Sequence, residues 1–472
     1  MIFCAYLVLM RPIKTLTALA LSATLGASML STVALSAAPA GAASSLPACP
    51  TSALSKASGT VNIDFWEAMT RANATSLEGL VANYNSSQSK VHVNLVQQSG
   101  YDVTWSKWQA GLTTGGLPAM AMIGDSNLQG AVDSKSILPV QSCINATKYN
   151  TKTFLPRVLS YWKVGGVQQG LPFNVSAPIF YYNTQAFEKA GIAKPPATLP
   201  ELVADAKILK NKGQGTMGLK LDAWHLEAWL ATANQLFVNN GNGRQSRATS
   251  SVFNTSTGRS LFTQLKALVG SGDAGTNPAA GASAYDNLLG IGAGKYSMTI
   301  DTSAALGTIS QLLGSGQYPN VTLGVAPFPT LKANPQGATQ AGGAALYISK
   351  KAPAAQQAAA WNFMSWLDSA ENQATWSTET GYIPIRTDAA STSKVQSYWA
   401  ANPGYKVPYT MLSTGVTNNA TSGAVVGPYD QVRIAIANAE NSMYTGGASP
   451  KTALSNASTT VNSIIAKYNS RI

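Results

Sequence analysis

The chain has few of the residues from which enzymes build catalytic sites. Of its 472 residues two are histidines, His92 and His225, and no metal-ligand spacing surrounds either of them. The sequence also lacks a Gly-x-Ser-x-Gly elbow, a Walker loop and a dinucleotide-binding fingerprint. With only 20 acidic residues, paired carboxylates of the glycosidase kind have few candidates. These absences favour a binding protein with no catalytic residue, no metal and no cofactor, and a secreted hydrolase is the weaker alternative.

Charge is sparse as well, since Asp, Glu, Lys and Arg make up 11% of the chain. Lys and Arg number 32, which gives a formal net charge of +12. The basic residues are scattered singly and do not cluster with aromatic residues, as a nucleic-acid interface would require. We therefore expect no nucleic-acid partner, and a basic protein of this kind suits small anionic molecules.

Long apolar runs are absent beyond the amino-terminal leader. There, Arg11 and Lys14 precede an apolar run from Leu16 to Leu35, and Ala40-Gly41-Ala42 supplies the small residues that signal peptidase requires. We predict a signal peptide over 1–42. The rest of the chain has no apolar run of about 18 residues, so we expect an exported protein, extracellular or periplasmic, that does not span the membrane.

The amino terminus leaves the start of translation open. It is Met1 or Met10, because Met10 already opens an ordinary positively charged leader. After cleavage near Ala43, residues 43–59 are rich in Ser, Ala and Pro, which predicts a flexible lead-in. Regular structure is predicted from Val61 onward.

Cysteine is rare, with three copies in the chain. Cys4 falls within the leader, which leaves Cys49 and Cys143 as an even pair suited to one disulfide in an oxidising compartment. The alternative rests on Leu46-Pro47-Ala48-Cys49, which faintly resembles a lipoprotein cleavage box and would make Cys49 a lipid anchor at the cell surface. We favour the disulfide, because the box lies well beyond the apolar run and carries a proline in its middle.

What the chain does contain is an alternation of strand and helix patterns. Its length exceeds what one hydrophobic core supports, so two lobes are expected. The alternation predicts an α/β fold of mainly parallel sheets flanked by helices, in which ligands lie beyond the carboxyl ends of the strands. Asp125, directly after the third predicted strand, stands in that place. The first strands are predicted at 61–66, 91–96 and 119–123, with helices at about 74–85 and 103–113 and after Asp125-Ser126.

The second half of the chain is richer in helices. Residues 170–183 read GLPFNVSAPIFYYN, which predicts extended chain that crosses between the lobes. A strand is predicted at 321–326, and helices at about 200–212, 227–239, 257–271, 304–313, 354–367, 430–443 and 452–468.

The stretch 378–386, TETGYIPIR, presents a tyrosine in a turn. Gly381 is able to take a positive φ, and Pro384 has no N–H to donate to a β-ladder. Tyr382 and Ile383 are therefore predicted to lie in extended chain and not in a helix. Taken alone, such a tyrosine is more often a core-edge aromatic residue than a ligand-binding one.

Several short motifs occur together in the mature chain. They are FWEAM at 65–69, Gly100-Tyr101, PFNVSAP at 172–178 running into Tyr181-Tyr182-Asn183, AGGA at 341–344, TGYIPI at 380–385 and Asp430-Gln431-Val432-Arg433. With them the chain resembles, from Val61 onward, the extracellular solute-binding proteins of ABC importers in the maltose-binding-like group. The resemblance is greatest to the branch that binds sn-glycerol-3-phosphate or a glycerophosphodiester.

The resemblance implies a type II periplasmic-binding-protein fold, a clamshell of two lobes joined by crossing segments. Lobe 1 would comprise 60–175 plus about 323–378, and lobe 2 about 176–322 plus 379–472. It also implies two kinds of partner, a small-molecule ligand and the membrane subunits of an ABC permease. The receptor itself is expected to be a monomer.

The resemblance further implies a ligand site. Asp125 would accept hydrogen bonds from glycerol hydroxyls, and Trp224 would cover the carbon face. The phosphate would be bound by Tyr101, Ser176, Thr302, the backbone N–H of Gly343, Tyr382 and Arg433. Hydroxyls, a backbone N–H and one planar guanidinium satisfy phosphate oxygens by charge-assisted bonds. The implied site consists of Tyr101, Asp125, Ser176, Trp224, Thr302, Ser303, Gly343, Tyr382 and Arg433.

Two departures from the family pattern leave the ligand open. Asp125 stands where better-known members have glutamate, which leaves the polyol end of the pocket roomier. The family's second tryptophan has no clean counterpart in 224–229. A glycerophosphodiester such as glycerophosphocholine is therefore as compatible as sn-glycerol-3-phosphate, and a maltose-like oligosaccharide, which would not need Arg433, is the alternative within the same fold.

Overall fold

The computed structural model of the protein describes residues 46–278 and 285–472. The predicted signal peptide over 1–42 and the first three residues of the predicted lead-in lie outside the described residues. The rest of the lead-in is not irregular throughout, because it contains a short helix at Ser52–Lys56. Within the described ranges no helix is both long enough and apolar enough to cross a membrane.

The strands form two main sheets and one hairpin. In chain order they are β1 (Val61–Glu67), β2 (Val91–Gln97), β3 (Met120–Gly124), β4 (Ile137–Leu138), β5 (Lys163–Val164), β6 (Val167–Gln168), β7 (Leu171–Ser176), β8 (Pro178–Asn183), β9 (Thr216–Leu221), β10 (Ala274–Pro278), β11 (Tyr296–Thr302), β12 (Leu323–Pro327) and β13 (Gly342–Ser349).

The first sheet has the order β2-β1-β3-β13-β4, with β7 also paired to β13. Its strands β1, β2 and β3 are parallel, and β13 runs antiparallel to its neighbours. The second sheet has the order β10-β9-β11-β8-β12, in which β9, β10 and β11 are parallel and β8 is antiparallel to both neighbours. The hairpin consists of β5 and β6.

Helices cover both sheets. In chain order they are α1 (Ser52–Lys56), α2 (Ala72–Ser87), α3 (Tyr101–Thr114), α4 (Leu128–Asp133), α5 (Val140–Thr147), α6 (Pro156–Tyr161), α7 (Thr184–Ala190), α8 (Leu199–Asn211), α9 (Ala223–Thr232), α10 (Asn239–Asn242), α11 (Ser256–Gly270), α12 (Asp286–Gly292), α13 (Leu306–Leu313), α14 (Ala354–Leu367), α15 (Ala370–Glu379), α16 (Thr387–Ala390), α17 (Ser393–Ala401), α18 (Lys406–Thr414), α19 (Tyr429–Tyr444) and α20 (Pro450–Asn469). Short 3-10 turns lie at Asp125–Asn127, Ser303–Ala305 and Pro403–Tyr405.

The predicted alternation of strands and helices in the first half of the chain is confirmed. The clearest difference later on is α9, which was expected at about 227–239 and lies several residues earlier. The Asp222 side chain caps it by accepting a hydrogen bond from the Trp224 N–H at 3.0 Å. The chain leaves the helix after Thr232, and Asn234 takes a left-handed φ of 56°. Cap chemistry therefore fixed both ends of this helix.

Each main sheet has its own hydrophobic core. Phe65, Met120 and Leu346 are fully buried in the first core, and Phe262 and Met298 are fully buried in the second. A third cluster, which contains Tyr181 and Ile309, packs on the second sheet as well. Separate cores on two helix-flanked sheets make this a two-lobed α/β fold, as predicted.

The chain crosses between the sheets inside the predicted segment 170–183. β7 belongs to the first sheet and β8 to the second. The return differs from the predicted boundary near residue 323, because β12 still pairs with β8 and the first sheet is rejoined only at β13. Likewise Tyr382, Ile383 and Ile385 belong to the first core, although the predicted boundary at 379 puts them in lobe 2.

The disulfide prediction is confirmed. Cys49 and Cys143 are bonded, with their Cα atoms 4.9 Å apart. The bond ties the segment that contains α1 to α5, and α1 also packs against α14. The lead-in is therefore fixed to the first lobe.

Candidate functional site

A cavity of about 290 Å³ lies at the carboxyl ends of β3, β7 and β11 and takes its lining from both sheets. A larger cavity of about 620 Å³ lies against β12 and shares no lining residue with it. The larger cavity is lined mainly by apolar groups, whereas the smaller one collects the polar residues expected at a ligand site. Those predicted from the sequence are Tyr101, Asp125, Ser176, Trp224, Thr302, Gly343, Tyr382 and Arg433.

Asp125 stands at the end of a strand that is buried along its whole length. Every residue of β3, which reads MAMIG, is buried, and the chain then enters a 3-10 turn at Asp125. Its Oδ1 accepts a hydrogen bond from the Ser126 N–H at 2.8 Å, and its Oδ2 accepts one from the Tyr161 hydroxyl at 3.3 Å. The carboxylate is thereby oriented before any ligand arrives.

Arg433, on α19, meets this carboxylate with both ends of its guanidinium. Nη1 donates to Oδ1 of Asp125 at 3.1 Å, and Nη2 donates to Oδ2 at 2.9 Å. The guanidinium carbon also lies 4.5 Å from the ring centroid of Tyr429. Burial disfavours the charge, but Asp125 and Tyr429 outweigh it and the pKa of Arg433 is raised. The residue is therefore a permanent cation in the cavity.

Two tyrosine hydroxyls face one another in the lining. The hydroxyl oxygens of Tyr101 and Tyr382 are 3.2 Å apart, and Nδ2 of Asn174 donates to the Tyr101 oxygen at 2.5 Å. Burial, followed by the neighbouring Tyr382, raises the pKa of Tyr101 well above its ordinary value, and burial raises the pKa of Tyr382. Both phenols stay protonated and are available as neutral hydrogen-bond donors.

Tyr382 is held rigidly in the extended turn that the sequence predicts. Its ring stacks on that of Trp376, with centroids 5.3 Å apart and planes 11° from parallel. Its backbone N–H donates to Oγ1 of Thr380 at 3.1 Å, and the Ile383 N–H donates to the Val175 carbonyl at 2.9 Å. The second bond ties the turn to β7, so the tyrosine is positioned by the first sheet.

Gly381, the residue before this tyrosine, allows the backbone of the turn to approach the backbone of Ser303 closely. The φ of Gly381 is not positive, contrary to the conformation suggested by the sequence. A Cβ at this position would lie 2.0 Å from the carbonyl oxygen of Ser303. No side chain fits there, and the glycine lets the turn pack against the end of β11.

Gly343 is required for both conformation and space. Its φ is 107°, in the region that favours glycine, and a Cβ would lie 2.1 Å from the Asn174 carbonyl oxygen. β13 pairs here with β7, opposing Gly342 to Ser176 and Gly343 to Val175. Ser176 at the end of β7 is 4% exposed and lines the same cavity.

Trp224 and Thr302 close other parts of the lining. Trp224 lies in the first turn of α9 and packs on Gly342, where a Cβ would come within 2.6 Å of the indole. Thr302 ends β11, and its Oγ1 accepts a hydrogen bond from the Ala304 N–H at 3.2 Å. One face of each side chain remains turned to the cavity.

Ser303 does not line the cavity. It is fully buried, its N–H donates to the Ala177 carbonyl at 2.9 Å, and its Oγ accepts from the Ala177 N–H at 3.3 Å. Ala177 is the residue between β7 and β8. In this structure Ser303 therefore fixes the crossing segment, and its place is behind the lining.

Sequence reasoning missed several lining residues, of which Asp222, Tyr285, Asn73 and Thr70 carry polar side-chain groups. Asp222 is half-buried, and its pKa is lowered because His225, Lys220 and Arg433 outweigh the effect of burial. Its position as the cap of α9 was a usable signal, since an Asp ahead of an apolar helical stretch is a typical start. Nothing in the sequence marks Tyr285 or Asn73 as cavity residues.

Comparison with known proteins identifies the family. Residues 79–403 match the family described as bacterial extracellular solute-binding protein. The chain belongs to this family. Such proteins capture small molecules for ABC importers, so the chain is a solute-binding receptor of such an importer and not an enzyme.

Relatives of this solute-binding protein include receptors with named ligands. The sn-glycerol-3-phosphate-binding periplasmic protein UgpB of Salmonella typhimurium is 26% identical over 420 residues, which is 86% of this chain and 93% of that protein. The protein of the same name from Brucella melitensis is 26% identical over 422 residues, covering 87% and 95% of the two chains.

Solved structures share the fold of this solute-binding protein. UgpB from Mycobacterium tuberculosis in complex with glycerophosphocholine superposes with a TM-score of 0.73 at 19% identity, over 87% of this chain and 100% of that one. The cyclic alpha-maltosyl-1,6-maltose binding protein from Arthrobacter globiformis gives 0.69 at 22% identity, over 87% and 100%. These matches establish the type II periplasmic-binding-protein fold, as predicted.

The cavity of this solute-binding protein suits binding without turnover. Its described lining brings together hydroxyls, two carboxylates, one guanidinium and aromatic rings. Among the residues that the structure describes, no group of three or more His, Cys, Asp and Glu side chains is arranged to hold a metal ion. Such a set orients a polar ligand by hydrogen bonds and covers its carbon skeleton with rings.

Proposed function

We propose that this receptor captures a phosphorylated glycerol derivative, sn-glycerol-3-phosphate or a glycerophosphodiester, for import. The observation that carries the proposal is the position of Arg433 in the same lining as the hydroxyls of Tyr101, Ser176, Thr302 and Tyr382. A planar guanidinium together with several neutral donors matches the acceptor oxygens of a phosphate. The named relatives at 26% identity support the same ligand class.

Binding on this proposal is an exchange of partners. The phosphate takes the guanidinium of Arg433 that now holds Asp125, and the released carboxylate accepts hydrogen bonds from the glycerol hydroxyls. Since both groups are already oriented by their neighbours, little side-chain entropy is lost when the ligand enters. Gly343 lines the same cavity, so its backbone N–H is a further candidate donor to the phosphate.

The charge of the cavity favours a diester over a monoester. Its described lining contains Asp125 and Asp222 against the single cation Arg433. A phosphate monoester carries a charge of about −1.5 to −2 at pH 7, whereas a diester carries one negative charge. A cationic headgroup on the diester would further suit Asp222 and the rings of Trp224 and Tyr285. We therefore rank a glycerophosphodiester such as glycerophosphocholine above sn-glycerol-3-phosphate.

A maltose-like oligosaccharide is the second candidate. The observation in its favour is that two carboxylates, Asp125 and Asp222, stand in one lining with the rings of Trp224 and Tyr285, a combination suited to sugar hydroxyls and sugar faces. The volume argues against a long sugar chain, because about 290 Å³ is at the low end of ligand cavities.

Calorimetric titration of the exported protein with glycerophosphocholine, sn-glycerol-3-phosphate, maltose and maltotetraose tests the proposal. The expected result is saturable binding of glycerophosphocholine, weaker binding of the monoester, and none of the sugars. A thermal-shift measurement on the same four compounds gives an independent readout, since a ligand that binds only the native state raises apparent stability. Binding of a maltodextrin without either phosphate compound would replace the proposal with the second candidate.

A further inference from the structure

A three-residue contact outside the ligand cavity joins the two lobes. Arg247 meets Asp133 with both ends of its guanidinium, Nη1 to Oδ2 at 2.8 Å and Nη2 to Oδ1 at 2.6 Å. The hydroxyl of Tyr468 donates to Oδ2 of the same carboxylate at 2.9 Å. Burial of Asp133 opposes its ionisation, but Arg247, Tyr468 and Gln129 outweigh it by hydrogen bonding and the pKa of Asp133 is lowered. The carboxylate is therefore ionised at neutral pH.

The partners belong to different lobes. Asp133 ends α4, whose Leu128 and Ala131 are buried in the core of the first sheet. Arg247 immediately precedes Ala248, which is buried in the core of the second sheet. Tyr468 lies in the last turn of α20, which packs in that same core. Any motion that separates the lobes at this point must break the contact.

The backbone is shaped to let the contact form. A Cβ at Gly427 would lie 2.0 Å from the ring of Tyr468, so only glycine leaves room for that side chain. From the other lobe, a Cβ at Gly130 would come within 3.6 Å of the Gly427 carbonyl oxygen. The two lobes thus approach each other at the level of the main chain beside the ion pair.

The loop that carries Arg247 is itself anchored across the lobes. Four consecutive residues, 240–243, take left-handed φ values between 55° and 72°, and Arg244 follows them. Nη1 of Arg244 donates to the Ser160 carbonyl at 3.0 Å in the first lobe, and Nε donates to the Gly423 carbonyl at 2.8 Å. Arg247 is therefore presented from a fixed loop.

We propose that Asp133, Arg247 and Tyr468 form an interlobe latch that sets how much of the receptor is closed, and that they act as positioning residues for ligand capture. The latch does not touch the ligand, because none of its residues lines the ligand cavity. Asp133 and Tyr468 line a separate cavity of about 410 Å³. The latch depends on the two-lobed fold and not on the identity of the ligand.

The physical reason is the cost of closing. Apparent affinity is reduced by the fraction of receptor in the binding-competent state, so contacts made only in the closed state raise affinity without meeting the ligand. The Asp133 side chain is 6% exposed and that of Arg247 35% exposed, so the pair is partly shielded from solvent. A bidentate pair of this kind contributes more than a freely exposed one.

The test compares Asp133→Asn, Arg247→Gln and Tyr468→Phe with a matched control. Asp388→Asn serves as the control. Asp388 forms a bidentate pair with Arg386, two residues away, so this substitution removes an ion pair that does not connect the lobes. Solution scattering of the ligand-free proteins and calorimetric titration with glycerophosphocholine are the two readouts. Asp133→Asn and Arg247→Gln are expected to enlarge the radius of gyration and to weaken binding about fivefold. Both effects follow if the substitutions lower the fraction of closed receptor.

Further variants separate the latch from general destabilisation. Asp133→Glu should recover most of the affinity, and the double variant of Asp133 and Arg247 should be no weaker than either single one. Tyr468→Phe keeps the ion pair and should shift both readouts in the same direction by less. Latch variants that match Asp388→Asn in both size and affinity would overturn the proposal. If glycerophosphocholine proves not to be the ligand, the scattering comparison alone decides.

Discussion

Arg433 and Asp125 form a bidentate ion pair, in which Nη1 donates to Oδ1 at 3.1 Å and Nη2 donates to Oδ2 at 2.9 Å. The pair reaches from the second lobe to the end of the central strand β3 in the first. The same two side chains are those proposed to hold the phosphate and the hydroxyls of one ligand. Stability and ligand affinity are therefore coupled through this pair, and separate substitutions can tell the two effects apart.

Arg433→Ala should lower both stability and affinity. The buried Asp125 carboxylate loses its partner, which costs about 3 kcal/mol of folding free energy. Loss of the bonds to phosphate costs about 2 to 5 kcal/mol of binding, more than tenfold in affinity. The double variant Asp125→Asn/Arg433→Ala should regain stability in denaturant titration but not affinity in calorimetry. Near wild-type binding by Arg433→Ala would remove the residue from the phosphate site.

Two further variants serve as controls for this experiment. Arg433→Lys should not fully restore affinity, because a point charge does not reproduce the planar fork. Arg259→Ala removes an arginine whose side chain, among the described residues, hydrogen-bonds to Asn254 in its own lobe and to no other residue. It should leave the affinity unchanged.

Gly343→Ala should damage the site through the backbone. The new Cβ would have to fit 2.1 Å from the Asn174 carbonyl at a φ of 107°, so β13 and β7 must separate locally. We expect a loss of at least about 2 kcal/mol in stability and a measurable loss of affinity. Gly79→Ala is the matched control, because a Cβ built there, in the middle of α2, meets no atom within 4 Å beyond its chain neighbours and the backbone of its own helix. It should stabilise by about 0.5 to 1 kcal/mol.

The buried carboxyl group of Glu440 should lower the free energy of unfolding as the pH rises and the group ionises. It is 5% exposed on α19, and burial followed by the charge of Asp222 raises the pKa of Glu440 from 4.5 to about 8. Because the folded pKa exceeds the unfolded one, the contribution of this group is complete below its unfolded pKa and is lost as the pH rises through its folded pKa. Linkage gives about 4 kcal/mol less free energy of unfolding at pH 9 than at pH 5 from this group.

Glu440→Gln should remove that dependence. Denaturant titrations of wild type and variant between pH 5 and pH 9 measure it, with the exposed residue change Glu188→Gln as the control. The difference in stability between wild type and Glu440→Gln should grow with pH, and that between wild type and the control should stay constant. Parallel curves for all three proteins would contradict the assignment.

The exported protein should carry the Cys49–Cys143 bond and no lipid at Cys49. Intact-mass analysis without reductant is expected to show no free thiol and no acyl mass. The chain-entropy argument sets an upper limit of about 4 kcal/mol on the free energy of unfolding that the double variant Cys49→Ser/Cys143→Ser should lose. We expect a smaller loss, because α1 is also held by its packing on α14. An acylated Cys49 would rule the disulfide out for the exported form.

Local patterns in the sequence were enough to place Asp125. A continuous apolar run followed by an acid specifies a buried strand and a carboxylate at its end, whatever the rest of the fold does. The same reasoning could not find Tyr285 or Asn73, because their place in the lining depends on packing between segments distant in the chain. It also could not pair Asp125 with Arg433, because the distance between two residues along the chain does not show whether they meet in the fold.

The boundary between the lobes was missed for a related reason. β12 alternates in burial like an ordinary half-covered strand, and nothing in such a pattern says which sheet accepts it. The position of α9 was missed because its cap, Asp222, decides the start more strongly than the apolar periodicity does. The family resemblance implied a lining position for Ser303, and its burial against Ala177 was not readable from the sequence.

The place of β13 constrains the order in which the chain can fold. This strand lies inside the first sheet, where Ala344 pairs with Gly124 on one side and with Asn174 on the other. An emerging chain therefore presents β1, β2 and β3 with an open edge until all five strands of the second sheet have followed them. Closing so long a loop is slow. Until it closes, the unpaired N–H and C=O groups of the open strand edge are free to pair with other chains. Neither lobe can be completed early, because the second core in turn requires α19 and α20 from the end of the chain.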